Sequence, residues 1–245
     1  MTVLTIAVSI LLTLSLAIFV VAMAGRVWRY AVTPSPLRIA TTPAPITRAG
    51  VALRLCREVF LFESLFRADK VLWLFSMMFH WGLLVVLLRH VRYFVAVPPL
   101  PIVMLQPVGK LAAIAMMVGL VGLLVRRIVI ARVRYVSRAT DMAILLLLLV
   151  LGGTGLVMTF WMPPDIVALK AYLAGLWQMN WAGLPGDPML AAHLLLFAAL
   201  LIVAPFSKLL HAAGIFFSPT RNQRDDPREH RHVAPWAKPL DSRRG

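Results

Sequence analysis

FHWGLLVVLLRH, residues 79–90, is the stretch that decides the fold, because it is almost wholly apolar and yet carries two histidines. It lies inside a longer apolar run, residues 71–94, which can cross about 30 Å of hydrocarbon as one helix. Ionisable side chains are costly inside a membrane helix and usually serve a function there. His80 and His90 are therefore the first candidate functional residues.

Four further apolar runs of similar length indicate an all-α membrane protein with five transmembrane helices. Hydrophobic residues make up 60% of the 245 residues, whereas a soluble domain is roughly half apolar. The predicted spans are residues 3–24, 71–94, 108–130, 142–162 and 189–212. Pro205 should kink the last span without ending it. The first span has no preceding basic residue and is too long for a signal-peptide core, so we predict a retained helix.

Basic residues between the spans indicate the orientation of the chain. The 25 Lys and Arg residues lie mostly in residues 25–70, in residues 126–141 and from Lys208 onward. Because cytoplasmic loops are rich in Lys and Arg, we predict an outside N-terminus and a cytoplasmic C-terminus. No RNA-binding motif or zinc-finger spacing occurs, so the net charge of +15 is not assigned to nucleic acid. We expect a five-helix domain over residues 1–217 and a basic cytoplasmic tail over 218–245 that contacts a partner.

Two segments outside the spans carry residues with simple expected roles. The connection 163–188 predicts a short interfacial helix with Trp177 and Trp181 at the depth of the lipid headgroups. His230 and His232 lie in the polar tail, where contact with solvent or a partner fits better than ligation.

A second pair of histidines, His193 and His211, lies in the fifth span. The second and fifth spans are antiparallel in the predicted topology, so His90 and His193 fall near the outer surface. His80 and His211 fall near the inner one. Eighteen residues are five helical turns, which would put His193 and His211 on one face of a continuous helix. The sequence thus predicts two sites, although each histidine could instead make one hydrogen bond between helices.

Two imidazoles per site suit the iron of a haem that is ligated from both sides. Zinc would want four ligands, and no carboxylate or cysteine lies near enough in sequence to complete them. The single cysteine, Cys56, excludes an iron–sulfur cluster held by this chain alone. No CxxCH motif occurs, so we expect two haems b, bound non-covalently. Iron with two histidine ligands has no open position, and electron transfer is the expected activity.

Two arginines, Arg89 and Arg92, flank the outer histidine of the second span. Their guanidinium groups could bind haem propionates, since the fork of donors matches a carboxylate. They could equally extend to the outer lipid headgroups. The sequence leaves both roles open.

The histidine spacings resemble a known family of membrane cytochromes. Together with PFSKLLH at 205–211, they are similar to the gamma subunit of respiratory nitrate reductase, a five-helix dihaem cytochrome b. Longer stretches resemble more closely the membrane cytochrome b subunits of Dsr complexes, which are associated with dissimilatory sulfite reductase. These stretches are CREVFLFESLFRADKVLWLF at 56–75, FHWGLLVVLLRHVRYF at 79–94, RYVSRATD at 134–141 and PFSKLLHAAGIFFSPTRNQRDDPREHRHVAPW at 205–236.

The resemblance implies a role in the prokaryotic cytoplasmic membrane. The subunit would exchange electrons between a quinone, either menaquinone or ubiquinone, and a cytoplasmic iron–sulfur partner that is DsrK-like and resembles heterodisulfide reductase. Implied further partners are a periplasmic cytochrome c, a periplasmic iron–sulfur protein and a second membrane subunit. The resemblance also places a quinone near Lys110, twenty residues after His90, although this lysine could instead be a lipid anchor. Arg89 stands where the nitrate reductase relatives have glycine, which is a departure within that pocket.

Other functions fit parts of the sequence. A gamma subunit of nitrate reductase itself would share the histidine pattern. A transporter could use intramembrane histidines to relay protons, but the spans lack the Asp and Glu residues that such relays usually add, and no inverted repeat occurs. A membrane anchor without cofactors would leave the four histidines unexplained.

Overall fold

The computed structural model describes residues 2–34, 40–178 and 183–225, and these residues contain helices and no strands. The helices, in chain order, are α1 (Val3–Val32), α2 (Arg48–Leu61), α3 (Glu63–Ala68), α4 (Lys70–His90), α5 (Leu100–Val129), α6 (Ala131–Val136), α7 (Ala139–Phe160), α8 (Ile166–Trp177), α9 (Pro188–Val203), α10 (His211–Phe217) and α11 (Pro219–Asn222). Three short 3-10 turns cover Val91–Tyr93, Ala204–Phe206 and Lys208–Leu210.

Five helical segments are long and apolar enough to cross a membrane, which confirms the predicted number of spans. They are α1, α4 with the turn after it, α5, α7, and α9 with its extension to Phe206. Many of their apolar side chains are exposed, as expected where lipid replaces water. The fifth-span helix α9 begins at Pro188. The helix α5 begins at Leu100 rather than at residue 108. Its start can include Pro101, because the amide that proline lacks has no partner in the first turn of a helix.

The prediction of one continuous helix over residues 189–212 is wrong. The α-helix ends at Val203, and a new helix begins at His211. The argument that His193 and His211 share one helical face therefore fails, because it required an unbroken helix between them.

Local chemistry explains the break after Val203. Pro205 has no amide hydrogen, and Ser207 adopts an extended conformation. The Ser207 hydroxyl donates to the carbonyl of Ala204 at 3.0 Å and accepts from the amide of Leu209 at 3.2 Å. One side chain thus satisfies backbone groups on both sides of the break, which lowers the cost of leaving the helix.

The described chain divides into two compact units. The first comprises Met1–Met23 and Leu65–Leu209, and the second comprises Ala24–Ser64 and Leu210–Gly245 as far as these residues are described. The division at residue 217 predicted from the sequence stays a prediction.

In the first unit, α4 packs directly on α5 through two glycines. A Cβ atom on Gly82 would lie 2.6 Å from the carbonyl oxygen of Ala112, and one on Gly119 would lie 2.7 Å from the carbonyl oxygen of Phe75. The two backbones therefore approach closely, as small residues allow in membrane helices. Phe79, Met116 and Leu120 form the buried cluster beside this contact.

A second buried cluster in the first unit joins α1, α8 and α9. Its members are Val8, Leu12, Leu169, Tyr172, Leu190, Leu194 and Ala198. The hydroxyls of Ser9 and Tyr172 lie 3.0 Å apart inside it, and burial raises the pKa of the tyrosine. The predicted helix within 163–188 is present as α8, with Trp177 exposed at its end. Trp181 lies outside the described residues.

Two acidic residues, at the starts of α4 and α7, bind arginines in the last turn of α5. Asp69 precedes α4, accepting a 2.9 Å hydrogen bond from the amide of Leu72 and a 2.7 Å hydrogen bond from Arg126. Asp141, in the first turn of α7, is buried. Its partners are the amide of Arg138, Arg127 at 3.4 Å and Lys208 at 2.5 Å.

In the second unit, α2 is tied to the segment after α10. Arg221 donates to Glu58 at 2.6 Å, and the carbonyl of Thr220 accepts a 3.0 Å hydrogen bond from the amide of Thr41. The first part of the predicted tail, up to residue 225, therefore packs within its own unit. His230 and His232 lie outside the described residues.

Candidate functional site

The two histidines of α4 are held in the same way by their own helix. The Nδ1 atom of His80 lies 2.8 Å from the carbonyl oxygen of Ser76, and that of His90 lies 2.7 Å from that of Val86. A carbonyl can only accept, so each Nδ1 carries the proton and donates. In this tautomer the lone pair that can bind a metal is on Nε2.

His193 of α9 is held by a side chain from another helix. Its Nδ1 lies 2.8 Å from the hydroxyl oxygen of Thr154 on α7, and that hydroxyl donates to the carbonyl of Leu151 at 2.8 Å. The hydroxyl proton is used by the carbonyl, so the oxygen accepts from His193. His193 therefore has the same tautomer as His80 and His90, with Nε2 as the ligating atom.

The structure brings His90 and His193 together. Their ring centres are 6.4 Å apart, and the ring planes differ by only 10°. Two imidazoles bound to one metal ion by bonds of about 2 Å, with each ring centre roughly 1 Å behind its nitrogen, would have centres about 6 Å apart. The separation of the two ring centres therefore suits imidazoles that hold one metal ion between them.

The helices that carry His90 and His193 belong to one series of packed membrane spans. In the described part of the chain, no group of three or more His, Cys, Asp or Glu side chains is placed to hold a metal ion. The closely packed helix pairs are α4 with α5, α5 with α7, and α7 with α9. The helices that carry His90 and His193 are thus at opposite ends of this series rather than packed on each other.

The arginines beside His90 have partners within the first unit. Arg89 donates to the side-chain oxygen of Gln106 at 3.1 Å and lies against Gly109 of α5. Arg92 lies 5.2 Å from the ring centre of Tyr93, and the edge of Tyr93 faces His90 at 5.7 Å. These contacts place both cations around the outer histidine, and their roles toward propionates or headgroups stay predictions.

Lys110 and His211 complete the set of predicted site residues. Lys110 lies on α5, where its ammonium is 5.8 Å from the ring centre of Phe160, and its role toward a quinone stays a prediction. His211 is the first residue of α10, in the second unit. Its pairing with His80 stays a prediction as well.

Thr154 is the residue at the site that sequence reasoning missed. The stretch LGGTG at 151–155 is a run of small residues in a span, and small residues there first suggest close helix packing. The only feature of the sequence that pointed to Thr154 was its hydroxyl group inside a membrane span. The contact with His193 is between residues 39 positions apart and follows from tertiary structure.

Five apolar helices and an intramembrane pair of histidines with matched tautomers are features of an integral membrane protein of the cytochrome b-like class. The family profile for the nitrate reductase gamma subunit matches residues 49–225, and the chain belongs to that family.

Two similar proteins come from archaea. The chain is 33% identical to the Hdr-like menaquinol oxidoreductase cytochrome b-like subunit of Archaeoglobus fulgidus, over 91% of this chain and 81% of that protein. It is 30% identical to the subunit of the same description from Archaeoglobus profundus, over 90% of this chain and 79% of that protein. The resemblance to the nitrate reductase gamma subunit family is thus confirmed, and the resemblance to the membrane subunits of Dsr complexes stays a prediction.

Proposed function

We propose that this chain is a dihaem cytochrome b subunit that carries electrons between menaquinol and an iron–sulfur partner. The observation that carries the proposal is the outer pair of imidazoles, His90 and His193, whose ring centres are 6.4 Å apart with nearly parallel planes. Two relatives described as cytochrome b-like subunits of menaquinol oxidoreductases support the same function. We assign the second haem to His80 and His211.

The residues of this chain have definite tasks in that function. The hydrogen bonds at Nδ1 fix the orientation of His80, His90 and His193, and Nε2 is the atom that would bind the metal. Haem b bound by two histidines would supply one-electron transfer without an open coordination position. Because the histidines lie in apolar spans, they would hold such a group away from water.

For the partners, we propose a cytoplasmic subunit that resembles heterodisulfide reductase. The similar archaeal proteins are described as belonging to Hdr-like oxidoreductases, which favours such a partner over a nitrate-reducing one. We extend this to the Dsr type of complex in dissimilatory sulfur metabolism, with a DsrK-like iron–sulfur subunit, a periplasmic cytochrome c, a periplasmic iron–sulfur protein and a second membrane subunit. The N-terminus would be outside and the C-terminus in the cytoplasm.

For the quinone, we propose a position near Lys110 on the outer side. Its ammonium could donate a hydrogen bond to a quinone carbonyl, and its present neighbour, the ring of Phe160, is an apolar surface of the kind that a quinone ring contacts. Lys110→Met should raise the quinol concentration needed for reduction and leave the haem content unchanged.

The test is a dithionite-reduced minus oxidised absorption spectrum of the purified full chain, with the haem-to-protein ratio from the pyridine haemochrome. About two haems b per chain and their reduction by a menaquinol analogue are expected. A well-folded preparation, made with sufficient haem supply and containing none, would overturn the proposal. Co-purification then identifies the partner: an iron–sulfur subunit active on a sulfur substrate supports the Dsr-type assignment, and nitrate reductase activity contradicts it.

A further inference from the structure

The histidines of the first unit differ in what holds their Nδ1 atoms. His80 and His90 donate to backbone carbonyls four residues earlier in α4. His193 instead donates to the hydroxyl of Thr154, which belongs to α7 and is itself polarised by donating to the carbonyl of Leu151. A carbonyl in the same helix cannot be removed by substitution, whereas a hydroxyl on a neighbouring helix can.

We propose that Thr154 is a positioning residue that orients His193 and sets the reduction potential of the outer haem. The inference rests on the proposed function, since it assigns His193 as a ligand. Thr154 is not one of the site residues predicted from the sequence, which are the four histidines, Arg89, Arg92 and Lys110.

The direction of the effect follows from the hydrogen bond. An acceptor at Nδ1–H makes the imidazole a stronger electron donor at Nε2, which stabilises oxidised iron and lowers its reduction potential. Without the hydroxyl, His193 would be a weaker donor with a less restricted ring. The reduction potential of the outer haem should therefore rise, and that of the haem on His80 and His211 should stay unchanged.

The experiment compares three variants of the full-length, haem-loaded protein by potentiometric titration. Thr154→Val keeps the branched shape and removes the hydroxyl, while Thr154→Ser keeps the hydroxyl. Thr159→Val is the matched control, because the Thr159 hydroxyl also lies on α7 and donates at 2.7 Å to the carbonyl of Gly155 in its own helix. Low-temperature EPR of the oxidised protein reports the ligand environment of each haem independently.

In Thr154→Val, one haem should become roughly tenfold easier to reduce, which is about 59 mV for one electron. Thr154→Ser should restore the value, and Thr159→Val should leave both potentials unchanged. Loss of a single haem in Thr154→Val, with both present in Thr154→Ser, would also support a positioning role.

Two results would overturn the inference: both haems present with unchanged potentials in Thr154→Val, or equal shifts in Thr154→Val and Thr159→Val. These results differ from failure of the proposed function, in which the unmodified protein itself contains no haem and the role of Thr154 fails with it.

Discussion

The two helices that bring His90 and His193 together are positioned in different ways. The helix α4 is unbroken from Lys70 to His90, carries two histidines and lies against the backbone of α5 at Gly82. In contrast, α9 ends at Val203, is held by side chains of α1 and α8, and carries one histidine that depends on α7.

The histidines of the two proposed haem sites are therefore positioned in two ways: two by one helix, and two by separate elements. The spacing between His80 and His90 is a property of one rigid helix, roughly 15 Å at 1.5 Å per residue. A disturbance of α4 should therefore reach both proposed haems. The positions of His193 and His211 depend on separate elements, so a disturbance there should reach one haem at a time.

The largest expected effect comes from removing the ligands themselves. His90→Ala and His193→Ala should each lose one of the two haems, because an iron left with one protein ligand is held weakly. The double variant should lose no more than either single variant, whereas His80→Ala combined with His193→Ala should lose both. The pyridine haemochrome ratio measures each step.

The double variants also decide the pairing. Loss of both haems in the variant lacking His90 and His193 would show that these residues ligate different irons. The arrangement of two haems, each with one ligand from α4, would then have to be revised.

The next effect concerns the contact that positions α4. In Gly82→Ala, the new methyl group would lie 2.6 Å from the carbonyl oxygen of Ala112 and 2.9 Å from the amide nitrogen of Met116, and neither backbone atom can rotate away. We expect a loss of about 3 kcal/mol in the free energy of unfolding, the upper part of the range for overpacking. Denaturant titration in detergent micelles measures it, and both haem signals should broaden together.

Gly25→Ala in α1 is the control for this substitution, because nothing lies within 4 Å of the added methyl group. It should leave stability unchanged or raise it slightly, since alanine favours helix. Equal destabilisation by the two substitutions would show that the close approach of α4 and α5 is not what matters.

A smaller effect is expected for the segment that follows α9. Asp141 is buried and binds Lys208 at 2.5 Å, which fixes the 3-10 turn after the helix break to the start of α7. Asp141→Asn keeps the shape and removes the charge, so we expect a loss of about 2 kcal/mol, typical of a hydrogen bond to a charged group. Thermal unfolding in detergent measures the change.

Asp165→Asn is the matched control for Asp141→Asn. Asp165 caps α8 at an exposed position by accepting hydrogen bonds from the amides of Val167 and Ala168, and asparagine caps equally well. A comparable loss of stability in this control would show that the effect of Asp141→Asn is generic to helix caps.

Hydropathy predicted the five spans and the helix α8 because length and apolar composition are properties of the sequence itself. It did not predict the break at Val203. Proline can be accommodated in a membrane helix, as Pro107 is inside α5. The outcome at Pro205 depended on a hydroxyl two residues later that could replace the lost backbone hydrogen bonds.

The candidate site, too, could be predicted only in part from the sequence. The proximity of His90 and His193 was expected from antiparallel topology, which hydropathy and charge supply. The contact between Thr154 and His193 required the packing of α7 on α9, and no spacing rule relates two residues on different helices. Lys110 was identified through the family resemblance, which its distance in sequence from His90 matches, and only the structure shows that its ammonium faces Phe160.

The smallest expected effect concerns the start of α4, and it depends on pH. Hydrogen bonds from the amide of Leu72 and from Arg126 hold the pKa of Asp69 below its ordinary value of 3.8. The carboxylate therefore stabilises the folded protein above pH 3.8, and this contribution is lost as the pH falls through the lowered pKa. Asp69→Asn retains the cap and loses the ion pair, so its loss in the free energy of unfolding should be smaller than that of Asp141→Asn. This loss should be constant from neutral pH down to mildly acidic pH and absent in strong acid. A loss that persists in strong acid would indicate that the side chain acts through shape, and the ion pair with α5 would then not be what secures the start of α4.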